Sequence, residues 1–297
     1  MALRCRFWRA LYSGTYGKEE IAALCRFRFR SDIEGVVMSV PFIPDEMIAD
    51  QERALEYLHH AYCMAVSQFG PVDVVGLGSL CSVVASRGQA LQEILPIPVT
   101  TGNAGTAWCL YQHILQHQKN EKVAILGSLS AVGMVLSKLL NEQGYRILVD
   151  KKRAGKKIGV SFGTADDIVK DASIVVGCGP TGPSLPSHIL SPSSIVLDVA
   201  LPYTIEGKTE NTVYQGEGMS MPKEWHRGFW GPLYHVISGY GWNTILACVV
   251  EPLALVSSQR RKSYALGSRI DPQAVLDFGR DSEALGFHPK LIPHQNR

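Results

Sequence analysis

The stretch that most constrains the fold of this chain is residues 122–153, KVAILGSLSAVGMVLSKLLNEQGYRILVDKKR. A short apolar run from Val123 to Leu126 reads as a strand, and Gly127 turns the chain. Val132, Val135, Leu136, Leu139 and Leu140 then recur at helical spacing, until Gly144 ends the pattern as a C-cap would. A second apolar run, 147–149, meets charge at Asp150, Lys151, Lys152 and Arg153. Strand, glycine turn, helix, strand is the first half of a dinucleotide-binding unit.

The residue types suit that reading. A side chain at Gly127 would block a pyrophosphate from the helix start, whose amides and dipole favour anions. Gly133 lets the helix lie close on the sheet, and Ser128, Leu129, Ala131 and Val132 complete the turn and the first helical turn. Ser130 stands where the fingerprint usually has glycine, giving G-x-x-S-x-x-G, a spacing that resembles the G-x-x-G-x-x-G variant of many NADP enzymes. A plain crossover with no ligand is the bland alternative. Lys151, Lys152 and Arg153 could hold a ribose 2′-phosphate, whereas Asp150 could accept from a free 2′-hydroxyl. Three cations against one anion favour NADPH over NADH.

With 297 residues the chain has room for two domains of about 100–200 residues each. A net charge of +2 argues against a polyelectrolyte partner such as nucleic acid. The first thirty residues are more basic, either as a solvated face or as a docking patch for an acidic partner. Seven scattered cysteines contain no C-x-x-C pair, which argues against a disulfide framework or a metal site and suits a cytoplasmic protein. Arginines interrupt the N-terminus, so no signal peptide is expected, and no apolar run approaches the roughly 20 residues of a membrane span.

Around the nucleotide unit the chain reads as α/β. Residues 1–35 are hairpin-like or loose, 35–40 form a strand, 46–68 one long amphipathic helix, and 72–77 another strand before a helix start at 79–85. Residues 104–117 form a helix that Thr101 or Asn103 can cap, and its polar start is a candidate substrate- or nicotinamide-facing turn. A strand at 172–176 leads into a glycine loop, 177–182, with Gly177 and Gly179 at the sheet edge where ligands bind. A strand at 195–199, a glycine turn near 214–218 and an aromatic segment at 222–242, read as a lid, follow. Asn243 is placed to cap a buried helix over 243–261, which Pro252 should kink or break at Cys248. A short helix and an extended end complete the chain. The expected division is 1–120 and 232–297 for a substrate domain, with 121–231 the Rossmann-type dinucleotide-binding domain.

In combination, V-V-G-L-G-S, T-T-G-N-A-G-T-A, V-A-I-L-G-S-L-S-A-V-G, I-V-L-D-V-A-L-P, A-C-V-V-E and L-G-F-H-P resemble the cyanobacterial long-chain acyl–acyl carrier protein reductases, in register from Glu34 to Leu291. Members of that family carry T-T-G-N-T-x-T-A and A-C-F-A-E at the corresponding places. The resemblance implies a shikimate dehydrogenase-like arrangement of two α/β domains. It also implies NADPH-dependent reduction of an acyl thioester, carried by acyl carrier protein or CoA, to an aldehyde. It makes Cys248 the nucleophile; backbone amides or the Thr101/Asn103 turn are then the candidates to hold the oxyanion, and Glu251 either orients a proton donor or has a surface or structural role. The chain departs from the family in a short N-terminus, Ser130, Asp150 and Pro252. Two other readings stay open: an NAD(P)-dependent dehydrogenase of a small hydroxy or amino acid, with Cys248 merely buried, and a nucleotide-binding protein without turnover. A homo-oligomer is compatible with all three.

Overall fold

The computed structural model describes residues 20–42, 44–179, 185–200, 203–207, 209–227 and 243–293. The basic run up to residue 19, residues 180–182 of the glycine loop and residues 228–242 of the expected lid lie outside the described residues.

The described chain opens with an antiparallel hairpin, β1 (Ala22–Phe29) and β2 (Ile33–Ser39). Two helices follow, Pro44–Ala49 and Gln51–Phe69, where the periodicity predicts one. The break is at Asp50, whose carboxylate accepts from the Arg53 amide at 3.0 Å and so caps the second helix. Two short parallel strands, β3 (Val75–Gly76) and β4 (Val99–Thr100), lie side by side. Each runs into a glycine turn, at Gly78 and Gly102 respectively.

The Asn103–Ile114 helix is apolar nearly all round, and ten of its twelve residues are buried. That pattern suits a helix covered on several sides. It packs against the helices Ala131–Glu142, Ala247–Ser257 and Pro272–Ala284, and so joins the two halves of the chain.

Beyond it come β5 (Lys122–Leu126), β6 (Arg146–Val149), β7 (Ser161–Phe162) and β8 (Ile174–Gly177). A small parallel pair, β9 (Leu185–Pro186) with β11 (Ile205–Glu206), flanks β10 (Ile195–Asp198) in sequence, and β12 (Thr212–Gln215) follows. Strands β7-β6-β5-β8-β10-β12 pair in that order and all run parallel. Numbered within the unit this is 3-2-1-4-5-6, the doubly wound Rossmann order. Its central strands β5, β8 and β10 are buried on both faces. Val123, Ile125, Ile174, Val176 and Leu197 meet Leu136 and Leu140 in the larger core, while Ala124, Leu126, Val175 and Val196 meet Ile168, Val169 and Leu190 in a second one. That split is the period-two alternation of a strand applied to nearly continuous apolar runs.

After β12 the chain crosses back. β13 (Gly218–Ser220) pairs with β15 (Thr244–Leu246), and β14 (Trp225–Arg227) adds to β1, with Trp225 stacked on Phe27 at 4.6 Å. The helix expected from Asn243 begins only at Ala247, because residues 244–246 are taken into that ladder. It then runs unbroken to Ser257 through Pro252, so the expected break does not occur. The proline ring packs over Gly76, where an added Cβ would sit 2.7 Å from it. The expected short terminal helix is the thirteen-residue Pro272–Ala284 helix. A last strand, β16 (Ile292–Pro293), pairs antiparallel with β12 on the parallel sheet.

Candidate functional site

Two clusters gather the residues singled out in the sequence, each at the carboxyl ends of parallel strands. The first surrounds the turn after β5. Gly127 adopts φ +81, a left-handed conformation that favours glycine, and a Cβ there would run into the backbone of Gly179. A Cβ at Gly133 would meet the Gly127 carbonyl at 2.5 Å and the Cys178 sulfur at 3.0 Å. Ser130, in the place usual for glycine, is the N-cap of the Ala131–Glu142 helix, its hydroxyl accepting from the Gly133 amide at 3.0 Å. The first turn of that helix carries no acidic residue. Leu129 stands out from the turn, 45% exposed, while Ala131 and Val132 are buried.

Asp150, at the end of β6, turns back into this loop. Its carboxylate accepts from the Gly127 amide at 3.2 Å, the Ser128 amide at 3.0 Å and the Ser128 hydroxyl at 2.5 Å. Ser128 is fully buried, and the Asp150 side chain is 2% exposed. Lys151, Lys152 and Arg153 are all exposed beside it. The Lys151 ammonium lies 3.9 Å from Asp150, and that of Lys152 sits 5.9 Å from the centre of the exposed Phe162 ring. Gly177 closes β8 against Asp198 and Thr204, so a Cβ there would strike both side chains.

The second cluster surrounds Cys248, the second residue of the Ala247–Ser257 helix and half-buried. A Cβ on Gly102 would collide with the Cβ and Cα of Cys248, and one on Gly78 would lie 4.0 Å from its sulfur. The two glycine turns after β3 and β4 therefore wall the thiol. One helical turn on, Glu251 is fully buried. One of its oxygens accepts from the Thr100 hydroxyl and from the Gly102 amide at 3.1 Å, and the other from the Gly105 amide at 2.8 Å. Burial pushes the Glu251 carboxyl up to about 7, outweighing these donors. Glu251 thus fastens the turn of residues 100–105 to the helix that carries Cys248.

Thr101 and Asn103 are the expected caps of the Asn103–Ile114 helix. Its N-cap is instead Gly102, at φ +75, and the acceptor at the helix start is the distant Glu251. The Thr101 hydroxyl, 2% exposed, is turned toward the Ala265 carbonyl at 3.3 Å and accepts from the Asn103 side-chain amide at 3.0 Å. Cys178, the rival thiol, lies under the nucleotide turn. It is buried, it donates to the Leu126 carbonyl at 3.2 Å, and desolvation pushes it up to about 12. At neutral pH it is a small apolar side chain rather than a thiolate.

Local sequence pattern therefore finds the glycines of the turn after β5, whereas Cys248 is singled out only through the family resemblance. It misses Gly78 and Gly102 as the walls of Cys248, whose signal is a glycine two residues past a short apolar run, repeated. It also misses the inward direction of Asp150. Among the described residues, no group of three or more His, Cys, Asp or Glu is placed to hold a metal ion, and no helix is long and apolar enough to cross a membrane.

No protein-family model matches the chain. It is similar to the aminotransferase PigE of Serratia sp. (strain ATCC 39006), with 27% identity over 281 residues, a match taking in 86% of this chain and 32% of that protein. The chain thus spans about a third of the length of the curated relative it matches. Among solved structures it is similar to a dipicolinate synthase subunit from Bacillus halodurans (16% identity, TM-score 0.33, 45% of this chain and 52% of that one). It is also similar to an NAD-complexed D-isomer specific 2-hydroxyacid dehydrogenase from Lactobacillus delbrueckii ssp. bulgaricus (13%, TM-score 0.26, 33% and 42%). A third is an NADPH-dependent glyoxylate/hydroxypyruvate reductase from Sinorhizobium meliloti, in complex with NADP and sulfate (16%, TM-score 0.26, 42% and 52%).

Proposed function

We propose that the chain is a nicotinamide-dinucleotide oxidoreductase, and that its particular reaction is NADPH-dependent reduction of an acyl thioester to an aldehyde through an acyl group held on Cys248. The observation that carries this reading is the placement of Cys248. It is a half-buried thiol at a helix start, with the Gly78 and Gly102 segments close against it. The positive end of a helix favours the thiolate, and the close Gly102 turn fixes where the Cys248 side chain starts.

The nucleotide turn fits the coenzyme. Its two closest approaches, Gly127 on Gly179 and Gly133 on Gly127, exclude any larger residue, and the helix behind it begins without a carboxylate. In this reading the turn from Gly127 to Gly133 holds the pyrophosphate, Lys151, Lys152 and Arg153 hold the 2′-phosphate, and Gly177 and Gly179 border the nicotinamide end. Residues 121–231 would serve as the nucleotide domain, and 1–120 with 232–297 as the substrate domain. A nicotinamide bound there supplies hydride.

The chain's own residues do the rest. The Cys248 thiolate adds to the thioester carbonyl, the bond to the carrier sulfur breaks, and the carrier leaves as its thiol after taking a proton. Once the acyl carbon is reduced, its bond to the Cys248 sulfur breaks and the aldehyde departs. Glu251 is a positioning residue, holding the Gly102 turn against the thiol. The Thr101 hydroxyl is committed to Ala265, so we assign the oxyanion to Asn103, whose amide has a second hydrogen to offer. The carrier is acyl carrier protein or CoA.

The second reading, a dehydrogenase of a small hydroxy or amino acid, is favoured by the same glycine contacts, since close packing alone would also set a small side chain there. One comparison separates the two: NADPH oxidation with an acyl-CoA or acyl-carrier thioester, with the free acid, and with no substrate. Aldehyde formation from the thioester alone, abolished in Cys248→Ser with NADPH binding retained, is the expected result. Intact-mass analysis with thioester and without NADPH should place the acyl group on Cys248. Full activity in Cys248→Ser would overturn the thioester reading.

A further inference from the structure

We infer that Asp150 is the clamp of the nucleotide turn and takes no part in choosing between the two coenzymes. The inference rests on the proposal that this turn binds a nicotinamide dinucleotide. An acidic residue at the end of the second strand of such a unit is ordinarily read as the acceptor for a ribose 2′-hydroxyl. The geometry here points elsewhere. The carboxylate faces back across the sheet edge and takes three donors from the turn itself, the amides of Gly127 and Ser128 and the hydroxyl of Ser128. With a side chain 2% exposed, it presents almost nothing to a ligand on the outer surface.

The physical reason for such a clamp lies in the turn. Gly127 holds a left-handed conformation, and glycine gives up more conformational freedom on ordering than any other residue. Ser130 secures the far side of the turn through the Gly133 amide. Asp150 secures the near side, so the segment between the strand and the helix is tied at both ends before a ligand arrives. Bonds from neutral donors to a charged acceptor are the stronger kind. A preformed turn spares the coenzyme the cost of ordering it, which appears as affinity common to every ligand that uses the pyrophosphate site. Discrimination then falls to Lys151, Lys152 and Arg153, which are exposed.

The substitution Asp150→Asn tests this. The asparagine keeps the shape, but its NH2 group must face a backbone N–H, so one bond of the clamp becomes a clash of donors. Dissociation constants for NADPH, NADH and NMNH, measured by fluorescence titration on the full chain, give the readout without turnover. We expect both dinucleotides to weaken by the same factor, about tenfold for loss of one bond to a charged group, with the NADPH-to-NADH ratio unchanged. Ser128→Ala should act in the same direction by a smaller factor, again with no change of ratio. It also serves where Asp150→Asn fails to fold. Lys151→Ala with Arg153→Ala should change the ratio instead. Hydrogen exchange of residues 127–133 should quicken in Ser128→Ala without any ligand. A selective loss of NADH in Asp150→Asn, or unchanged exchange in Ser128→Ala, would overturn the inference. If the unaltered chain binds no dinucleotide, the proposed function fails and this inference with it. Binding with an altered ratio in Asp150→Asn would sink the inference alone.

Discussion

Glu251 shows how one buried carboxyl couples stability to pH. Its ordinary value of 4.5 rises to about 7, chiefly because burial penalises the charge. Between those values the folded chain keeps a proton that the unfolded chain has released. The folded state therefore binds more protons in that window, and stability falls as pH rises through it. Below pH 4.5 both states are protonated and the benefit is complete. From pH 4.5 to 7.5 the native chain should lose about 3 kcal/mol relative to Glu251→Gln, whose amide does not titrate. Urea unfolding of both proteins across that range checks it, and parallel curves would contradict it. Nothing in the local pattern A-C-V-V-E announces this role. A glutamate three residues after a cysteine reads equally as a proton-handling, surface or structural group until its partners at Thr100, Gly102 and Gly105 are seen, nearly 150 residues away.

At the scale of elements, the contact between the Gly102 turn and the Ala247–Ser257 helix is the tightest feature of the Cys248 cluster. Gly102→Ala adds strain from the positive φ and a collision with Cys248, so it should destabilise the chain by about 2 kcal/mol or more and shift the helix start away from the turn. Thermal unfolding and the alkylation rate of Cys248 together test this. Loss of stability with an unchanged alkylation rate would show that the turn does not set the position of the thiol. Elements also differ in how far the sequence alone announces them. Residues 122–153 are legible because strand, turn and helix are each fixed by neighbours close in sequence, as Ser130 and Gly133 illustrate. The group that holds the helix start at Asn103 and the helix start at Ala247 are not, because the first is a carboxylate from another segment and a strand ladder with β13 delays the second. Pro252 misleads as well, since the helix runs through it to Ser257.

For the molecule as a whole, the edge of the nucleotide sheet is completed from far along the chain. Strand β16 pairs with β12 through Ile292 and Pro293, and the Lys290 amide donates to the Gly218 carbonyl at 2.8 Å. Removing residues 290–297 should strip that edge and the buried Ile292 side chain, at a cost of about 2 kcal/mol, and so lower the midpoint of thermal unfolding by about 5 °C. Calorimetry of the shortened chain is the measurement, and an unchanged midpoint would show the strand to be ornamental. The same pairing has a consequence for synthesis. Gln215 leaves the ribosome 77 residues before Ile292 does. At about 5–20 residues per second, the parallel sheet waits roughly 4–15 seconds with the edge of β12 open. An uncovered strand edge is a template for pairing with other chains. The nascent protein therefore passes through an interval in which its parallel sheet is nearly built and most exposed to misassociation, and slow codons between β12 and β16 would lengthen that interval.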